Sequence, residues 1–466
     1  MTTATNTSLP KGFEDSLLTL GLSLSRSEPQ ESPSKPPKTP YRFYCPTPET
    51  HAKVLHRLAH ERATTSTDGS FSSLADVFDE EQIVKNKGTL RAKNVVDIFG
   101  WSLPFHPSDA GHLTSDNHLR SQLEQDSESP LFAEVQQHGV GGSGKTSHLF
   151  LPKVRFSNLY LPRVRPSEGT SSTASTRDKI LYAHSAFPTH SEDSVFFGPD
   201  TYRFVDFLHD ALGAVAPPQG NNSWKLAVDV GTGAGAGALA VAGLDQSEGP
   251  TRTRQQQENG FLVDQVLGTD INPLALRFAA VNSQLYYRIT AMADDEKVIN
   301  GDQPFVSASS WQSRLQFRAG SLLDDLKEQE RKALDLVVSN PPYIAFGKED
   351  GGEGEGDASE TKGATYADGG KGFGLALPLL ILQQAIEKLN HGGVALLYTG
   401  VPVPMSGENP LWQGCQELVS QGKAKIEYWK VLDVDVFGDE LQNAKGPYGQ
   451  SGVGRIEVVG VGVRKS

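Results

Sequence analysis

The chain is nearly without cysteine: Cys45 and Cys415 are the two thiols among 466 residues. Two thiols make no disulfide framework, which fits a reducing compartment and an intracellular, cytoplasmic protein. No apolar run approaches the roughly 20 residues that cross a bilayer, so no membrane span is expected. The amino terminus, Met1-Thr2-Thr3-Ala4-Thr5-Asn6, lacks a basic region followed by an apolar stretch, which argues against a secretory signal. Positive charge is also short. Lys and Arg number 43 against 56 Asp and Glu, a net charge of −13. That disfavours a globally basic nucleic-acid binder while leaving room for a local basic face. The 12 histidines show no metal-ligand spacing, and no metal site is expected; His184, His190 and His391 read as surface or packing residues.

Length admits two or three domains. Residues 1–40 read as a disordered tail, with 27–40 dense in Ser, Pro and Lys. Residues 41–160 read as a small accessory domain, mainly helical, opening with a helix over 41–62 that gathers Val54, Leu55, Leu58 and Ala59 on one face. Segments 106–130 and 164–178 look like polar insertions. From about 180 to 466 apolar strands alternate with helical stretches, interrupted by insertions at 245–260 and 347–366. The second insertion is rich in Gly and Glu. It reads first as a solvated loop; a mobile acidic flap favouring a basic partner is the sharper alternative.

The most pointed feature is Asn340-Pro341-Pro342-Tyr343, which follows the apolar run Leu334-Asp335-Leu336-Val337-Val338-Ser339. Such a run reads as a buried parallel strand. The prolines fix the backbone and carry no N–H, so nearby carbonyls stay free to accept. The Asn340 side-chain oxygen is a second acceptor. Together they suit a planar NH2 group, with the Tyr343 ring packed on its face.

Upstream, Lys225-Leu226-Ala227-Val228-Asp229-Val230 runs into Gly231-Thr232-Gly233-Ala234-Gly235 and an Ala-rich helical segment, 236–242. Glycines there permit positive φ and close approach to a ligand. A second strand, Gln265-Val266-Leu267-Gly268, ends in Thr269-Asp270-Ile271-Asn272-Pro273. Its acidic residue stands where doubly wound folds bind ribose hydroxyls. Pro273 then opens a helix. Gly139-Val140-Gly141-Gly142-Ser143-Gly144-Lys145-Thr146 fits the phosphate-loop pattern by letter, but a strand-like Leu149-Phe150-Leu151 follows where that motif needs a helix.

The ordered series of glycine turn, strand-end Asp and Asn-Pro-Pro-Tyr resembles class I S-adenosylmethionine-dependent methyltransferases, and among them the HemK-like group that methylates glutamine side-chain nitrogen. The resemblance covers about residues 180–466. It implies an α/β fold, a Rossmann-like seven-stranded, mostly parallel sheet, completed by strands at 394–398, 425–434 and 455–463. It implies S-adenosyl-L-methionine as cofactor, cradled by Asp229, Gly231, Thr232 and Gly233. Asp270 would take the ribose, Ile271 the adenine, and Ser321 with Leu322 the adenine edge; Ser321 stands where the family often has Asp. Asn340, Pro341, Pro342 and Tyr343 would form the acceptor and catalytic motif, with Asn340 also counted among the cofactor-binding residues. The segment 368–375 looks like the family's Gly-rich stretch after that motif, and 195–204 like the stretch that lies over the channel. A protein glutamine is the first-choice acceptor. The rivals are an exocyclic amine of RNA or DNA, a small molecule, and a non-catalytic scaffold that keeps the fold.

Overall fold

The computed structural model describes residues 12–27, 91–124, 131–138, 146–162, 177–186, 192–221, 223–243, 263–298, 314–345, 369, 371–436, 441, 448 and 452–466. The expected helix over 41–62, the insertions at 245–260 and 347–366, and Cys45 lie outside these.

Inside the expected disordered tail, Phe13–Ser27 form a helix, α1, with Phe13, Leu17, Leu20 and Leu24 buried. The short helices α2 (Val95–Phe99), α3 (Ala110–Leu113) and α4 (Asn117–Leu123) follow. Asn94 and Asp116 start α2 and α4 by accepting backbone N–H groups, the usual service of short polar side chains at that position. Leu113, Leu119 and Leu123 are buried, so the stretch expected as a polar insertion contributes to the core.

Among its described residues the N-terminal region also carries antiparallel strands that the sequence reading did not expect. β1 (Phe132–His138) pairs antiparallel with β2 (Thr146–Pro152), and β3 (Val154–Pro162) with β4 (Arg177–Ser185). The phosphate-loop look-alike therefore joins two antiparallel strands, and a strand, not a helix, follows it. Aromatic rings fill the space behind. Phe132 lies 5.1 Å from Phe105 and 5.9 Å from Phe99, centroid to centroid.

The catalytic-type sheet is seven-stranded, in the order β10-β11-β9-β8-β5-β6-β7. Its strands are β5 (Trp224–Val230), β6 (Val263–Asp270), β7 (Leu315–Ala319), β8 (Leu334–Ser339), β9 (Val394–Pro404), β10 (Ala424–Asp433) and β11 (Val453–Lys465). β11 alone runs against the others in this sheet. This is the Rossmann-like seven-stranded, mostly parallel sheet that the sequence resemblance implied.

Alternate side chains of β5, β8 and β9 enter two different cores. Ala227, Leu336, Val338, Leu396 and Tyr398 join the first; Val228, Val337, Leu397 and Val401 join the second. Both faces are thus covered, which is why these strands read as unbroken apolar runs. The first core packs helices α5 (Pro199–Ala214), α6 (Ala236–Ala242) and α7 (Pro273–Val298) together with the N-terminal region. The second packs α9 (Ala376–Lys388) and α10 (Pro410–Ser420), while α8 (Glu328–Ala333) leads into β8.

α1 lies on α7. The Arg277 guanidinium donates to both Glu14 carboxylate oxygens, one at 2.7 Å, and sits 4.7 Å from the Phe13 ring. Gly21 permits the close crossing, since a Cβ there would stand 2.8 Å from Leu285 Cδ2. If the helix is this firmly part of the core, Leu17→Ala should lower unfolding free energy by about 2–5 kcal/mol. Denaturant melts of the full chain give that number, and a loss below about 0.5 kcal/mol would show α1 undocked.

Candidate active site

β5, β6 and β8 end at one edge. Val230 stands in register with Thr269 on one side and with Ser339 on the other. The chain leaves β5 towards β6 and β7, then crosses back to β8, so a crevice opens at the switch point between β5 and β8. Every strand-end motif singled out in the sequence is delivered there.

The turn after β5 is built around Asp229. Its buried Oδ2 accepts the Thr232 hydroxyl at 2.7 Å and the Ala238 N–H at 2.7 Å. Thr232 N–H in turn donates to the Thr269 carbonyl at 2.9 Å. Gly231 and Gly233 adopt φ of +67° and +54°, and a Cβ on either would meet nothing within 4 Å. The turn thus presents bare backbone to open space, as a ligand cradle requires. Asp229 and Thr232 face inward and hold the cradle in shape.

Burial pushes the Asp229 carboxyl up to about 6; the bonds from Thr232 and Ala238 oppose the rise, and nearby Asp270 adds to it. Burial also raises the Asp270 carboxyl. Asp270 Oδ2 accepts the Gly233 N–H and Oδ1 the Asn272 N–H, each at 2.8 Å. Lone pairs remain for further donors. Beside it Ile271 is 62% exposed, an apolar surface with nothing on it. Ser321 and Leu322 follow β7. Gly320 N–H donates to the Asp270 carbonyl at 3.1 Å, Ser321 N–H to Asp325 at 2.9 Å, and Leu322 adopts φ of +55°.

Asn340 follows the end of β8, which the Ser339 hydroxyl fastens to the Val230 carbonyl at 2.7 Å. Its side chain is half-buried and takes no hydrogen-bond partner among the described residues. Pro341 is buried and Pro342 half-buried. Tyr343 departs from expectation. It is 6% exposed, its ring presses on Gly400, where a Cβ would stand 2.3 Å away, and its hydroxyl donates to Asp200 at 2.7 Å. The ring is a wedge in the wall, not a free face for an acceptor. Gly369 and Gly374 crowd the Tyr343 backbone so closely that a Cβ on either would come within 2.6 Å and 2.2 Å of it. This explains the Gly-rich stretch after the motif.

Asp200 and Tyr398 went unnoticed in the sequence. Tyr398 donates to the other Asp200 oxygen at 2.9 Å. An acidic residue in a first helical turn is ordinary dipole complementarity, so no signal distinguished Asp200. His184 is a packing residue: it is buried, stacks on Phe197 at 5.0 Å and shares a 2.8 Å hydrogen bond with Ser157. Among the described residues no group of three His, Cys, Asp or Glu could hold a metal.

No protein-family model and no curated protein matches the chain. Solved structures do. The tRNA m1G37 methyltransferase of M. jannaschii aligns at 11% identity and TM-score 0.31, over 68% of this chain and 64% of that one. Wild-type Trm5b of Pyrococcus abyssi aligns at 12% and 0.31, over 76% and 71%. Geranyl diphosphate C-methyltransferase of Streptomyces coelicolor A3(2), crystallised with S-adenosyl-L-homocysteine, aligns at 13% and 0.31, over 56% and 75%. The chain thus spans a little under two thirds of the M. jannaschii enzyme's length. These scores are low, and the strand order and strand-end geometry above carry the functional reading.

A carboxyl group raised from 3.8 to about 6 on folding favours the fold while protonated and loses that advantage as pH climbs. Asp229 should therefore cost the protein about 2 kcal/mol between pH 4 and pH 6. Asp229→Asn removes that titration. Denaturation across this range should show the variant gaining on wild type as pH rises, and parallel curves would show an unperturbed carboxyl.

Proposed function

We propose that this protein transfers a methyl group from S-adenosyl-L-methionine to a planar NH2 nitrogen, in the manner of the HemK-like enzymes, with a protein glutamine side chain as the acceptor. The observation that carries the reading is the unpartnered Asn340 amide beside a two-proline backbone that has no N–H donors of its own, across the β5–β8 crevice from a bare glycine turn. A scaffold has no use for either, and leaving a half-buried amide unpaired is unfavourable.

The residues fit the cofactor. The Gly231–Gly233 backbone offers close approach to its methionine part, Asp270 offers acceptor lone pairs to ribose hydroxyls, and exposed Ile271 offers an apolar face to adenine. Ser321 and Leu322 close that end. When bound, S-adenosyl-L-methionine supplies a methyl group already activated by its sulfonium. The chain's task is then alignment and exclusion of water. An amide nitrogen is a poor nucleophile because its lone pair is delocalised. The Asn340 oxygen and the Pro341 carbonyl would accept its two N–H bonds, orient it and stabilise positive charge developing at nitrogen. The sulfonium would leave as a neutral thioether and the methylated nitrogen would give up one of those hydrogens as a proton to solvent; the site needs no dedicated base. The net charge of −13 favours a basic protein partner over a polyanion.

Asn340→Ala should abolish methyl transfer and leave cofactor affinity within about twofold. Transfer of labelled methyl from S-adenosylmethionine to glutamine peptides, to bulk tRNA and to DNA compares the acceptors; label on nucleic acid alone would replace glutamine with a base amine. Asp270→Ala should weaken cofactor binding by about 1–3 kcal/mol. Calorimetry of both proteins checks this, and equal affinities would remove Asp270 from the ribose role.

A further inference from the structure

The aim of Asn340 raises a physical question, because its amide has no partner of its own among the described residues. Its position is set by its backbone. On one side the strand is fastened, by β8 pairing and by the Ser339 hydroxyl on the Val230 carbonyl. On the other side two prolines with fixed φ lead to Tyr343. What fixes Tyr343 therefore fixes the far end of the clamp.

That anchor is Asp200. Its Oδ2 accepts the Tyr343 hydroxyl at 2.7 Å and its Oδ1 the Tyr398 hydroxyl at 2.9 Å. Tyr398 belongs to β9, the strand next to β8, so the carboxylate bridges the acceptor turn to the sheet. The helix that carries Asp200 is itself tied down, since Arg203 pairs with Asp433 on β10 at 2.8 Å. The segment leading to it, residues 193–199, is held at its other end: the Asp193 carbonyl accepts from Asn272 Nδ2 at 2.8 Å, next to Ile271. Val195 exchanges hydrogen bonds with Ser185 midway, at 2.8 and 3.2 Å. One strap thus runs from the ribose side of the crevice to the acceptor turn. Asp200 is its terminal fastening.

We propose that Asp200 is a positioning residue: it aims the Asn340 clamp through Tyr343 without touching either ligand. This rests on the methyl-transfer reading for its catalytic consequence, though not for the tether itself. Two hydroxyl donors converge on one group, so that group must be able to accept at both oxygens. A carboxylate does so. An amide has one acceptor oxygen, so it could keep both tyrosines only with one hydroxyl reversed to accept an N–H.

The test uses the full chain, with Asp200→Asn, Tyr343→Phe and the double variant. Tyr343→Phe removes only a hydroxyl and guards against a variant that fails to fold. Three readouts are taken: S-adenosylmethionine affinity by calorimetry, amide hydrogen exchange of residues 343–345, and kcat and KM for labelled methyl transfer to a synthetic glutamine peptide. Each single variant should keep cofactor affinity within about twofold, speed exchange in that segment about tenfold or more, and lower kcat by about ten- to a hundredfold. The double variant should be no worse than the poorer single, because both cut one tether. Unchanged exchange, or losses that multiply in the double variant, would overturn the assignment. So would an Asp200→Asn protein whose cofactor affinity falls as far as its kcat. A wild type that binds cofactor but leaves the glutamine peptide unlabelled overturns the glutamine reading alone, and the exchange data still decide the tether.

Discussion

Parallel pairing of β5 with β6 on one flank and β8 on the other is the constraint on which the site depends. Hydrogen-bonded register places Val230, Thr269 and Ser339 level with one another. Three turns that are far apart in the chain must then begin from one line. Each turn inherits its position from the sheet and has only to choose its direction. The glycine turn bends over the edge, the Asp270 turn leans toward it, and the double proline stiffens the third. A slip of one residue in β8 would send Asn340 to the opposite face of the sheet. The apolar alternation into two separate cores guards against that, since such a slip would also exchange Leu336 and Val338 with Val337.

The electrostatics around the glycine turn are tense. Asp229 and Asp270 both have carboxyls raised by burial, and the Asp270 charge raises Asp229 further. The same stress explains why the turn is so thoroughly hydrogen-bonded: Thr232, Gly233 and Ala238 each give a donor to one of the two carboxylates.

Much of the architecture was legible in the residues because both faces of the sheet are covered. The run 334–339 matches β8 to the residue, and 236–242 matches α6, since apolar continuity and Ala content are strong local signals. The placement of Asp229, Asp270 and Asn340 at strand ends was legible for a related reason: each closes or follows an apolar run. Legibility failed where the physics is not local. α1 looked like part of a polar tail because its partner surface, around Arg277 and Phe278, lies far along the chain. Tyr343 looked available for stacking because nothing near it in sequence announces Asp200, Tyr398 or Gly400. The hairpins of the N-terminal region were missed because polar residues break up their strands and their apolar residues enter a core shared with the larger sheet.

The docking of α1 also has a consequence in time. Glu14 meets Arg277 across 263 residues of chain. A ribosome adding roughly 5–20 residues per second would need some 10–50 s to deliver the partner after the helix has emerged. Through that interval the face of α1 that meets α7 stays open, although α4 and β4 can cover other parts of the helix as they emerge. The helix is fully seated only when a segment synthesised much later arrives, and a chaperone that shields apolar helices would matter most in that interval.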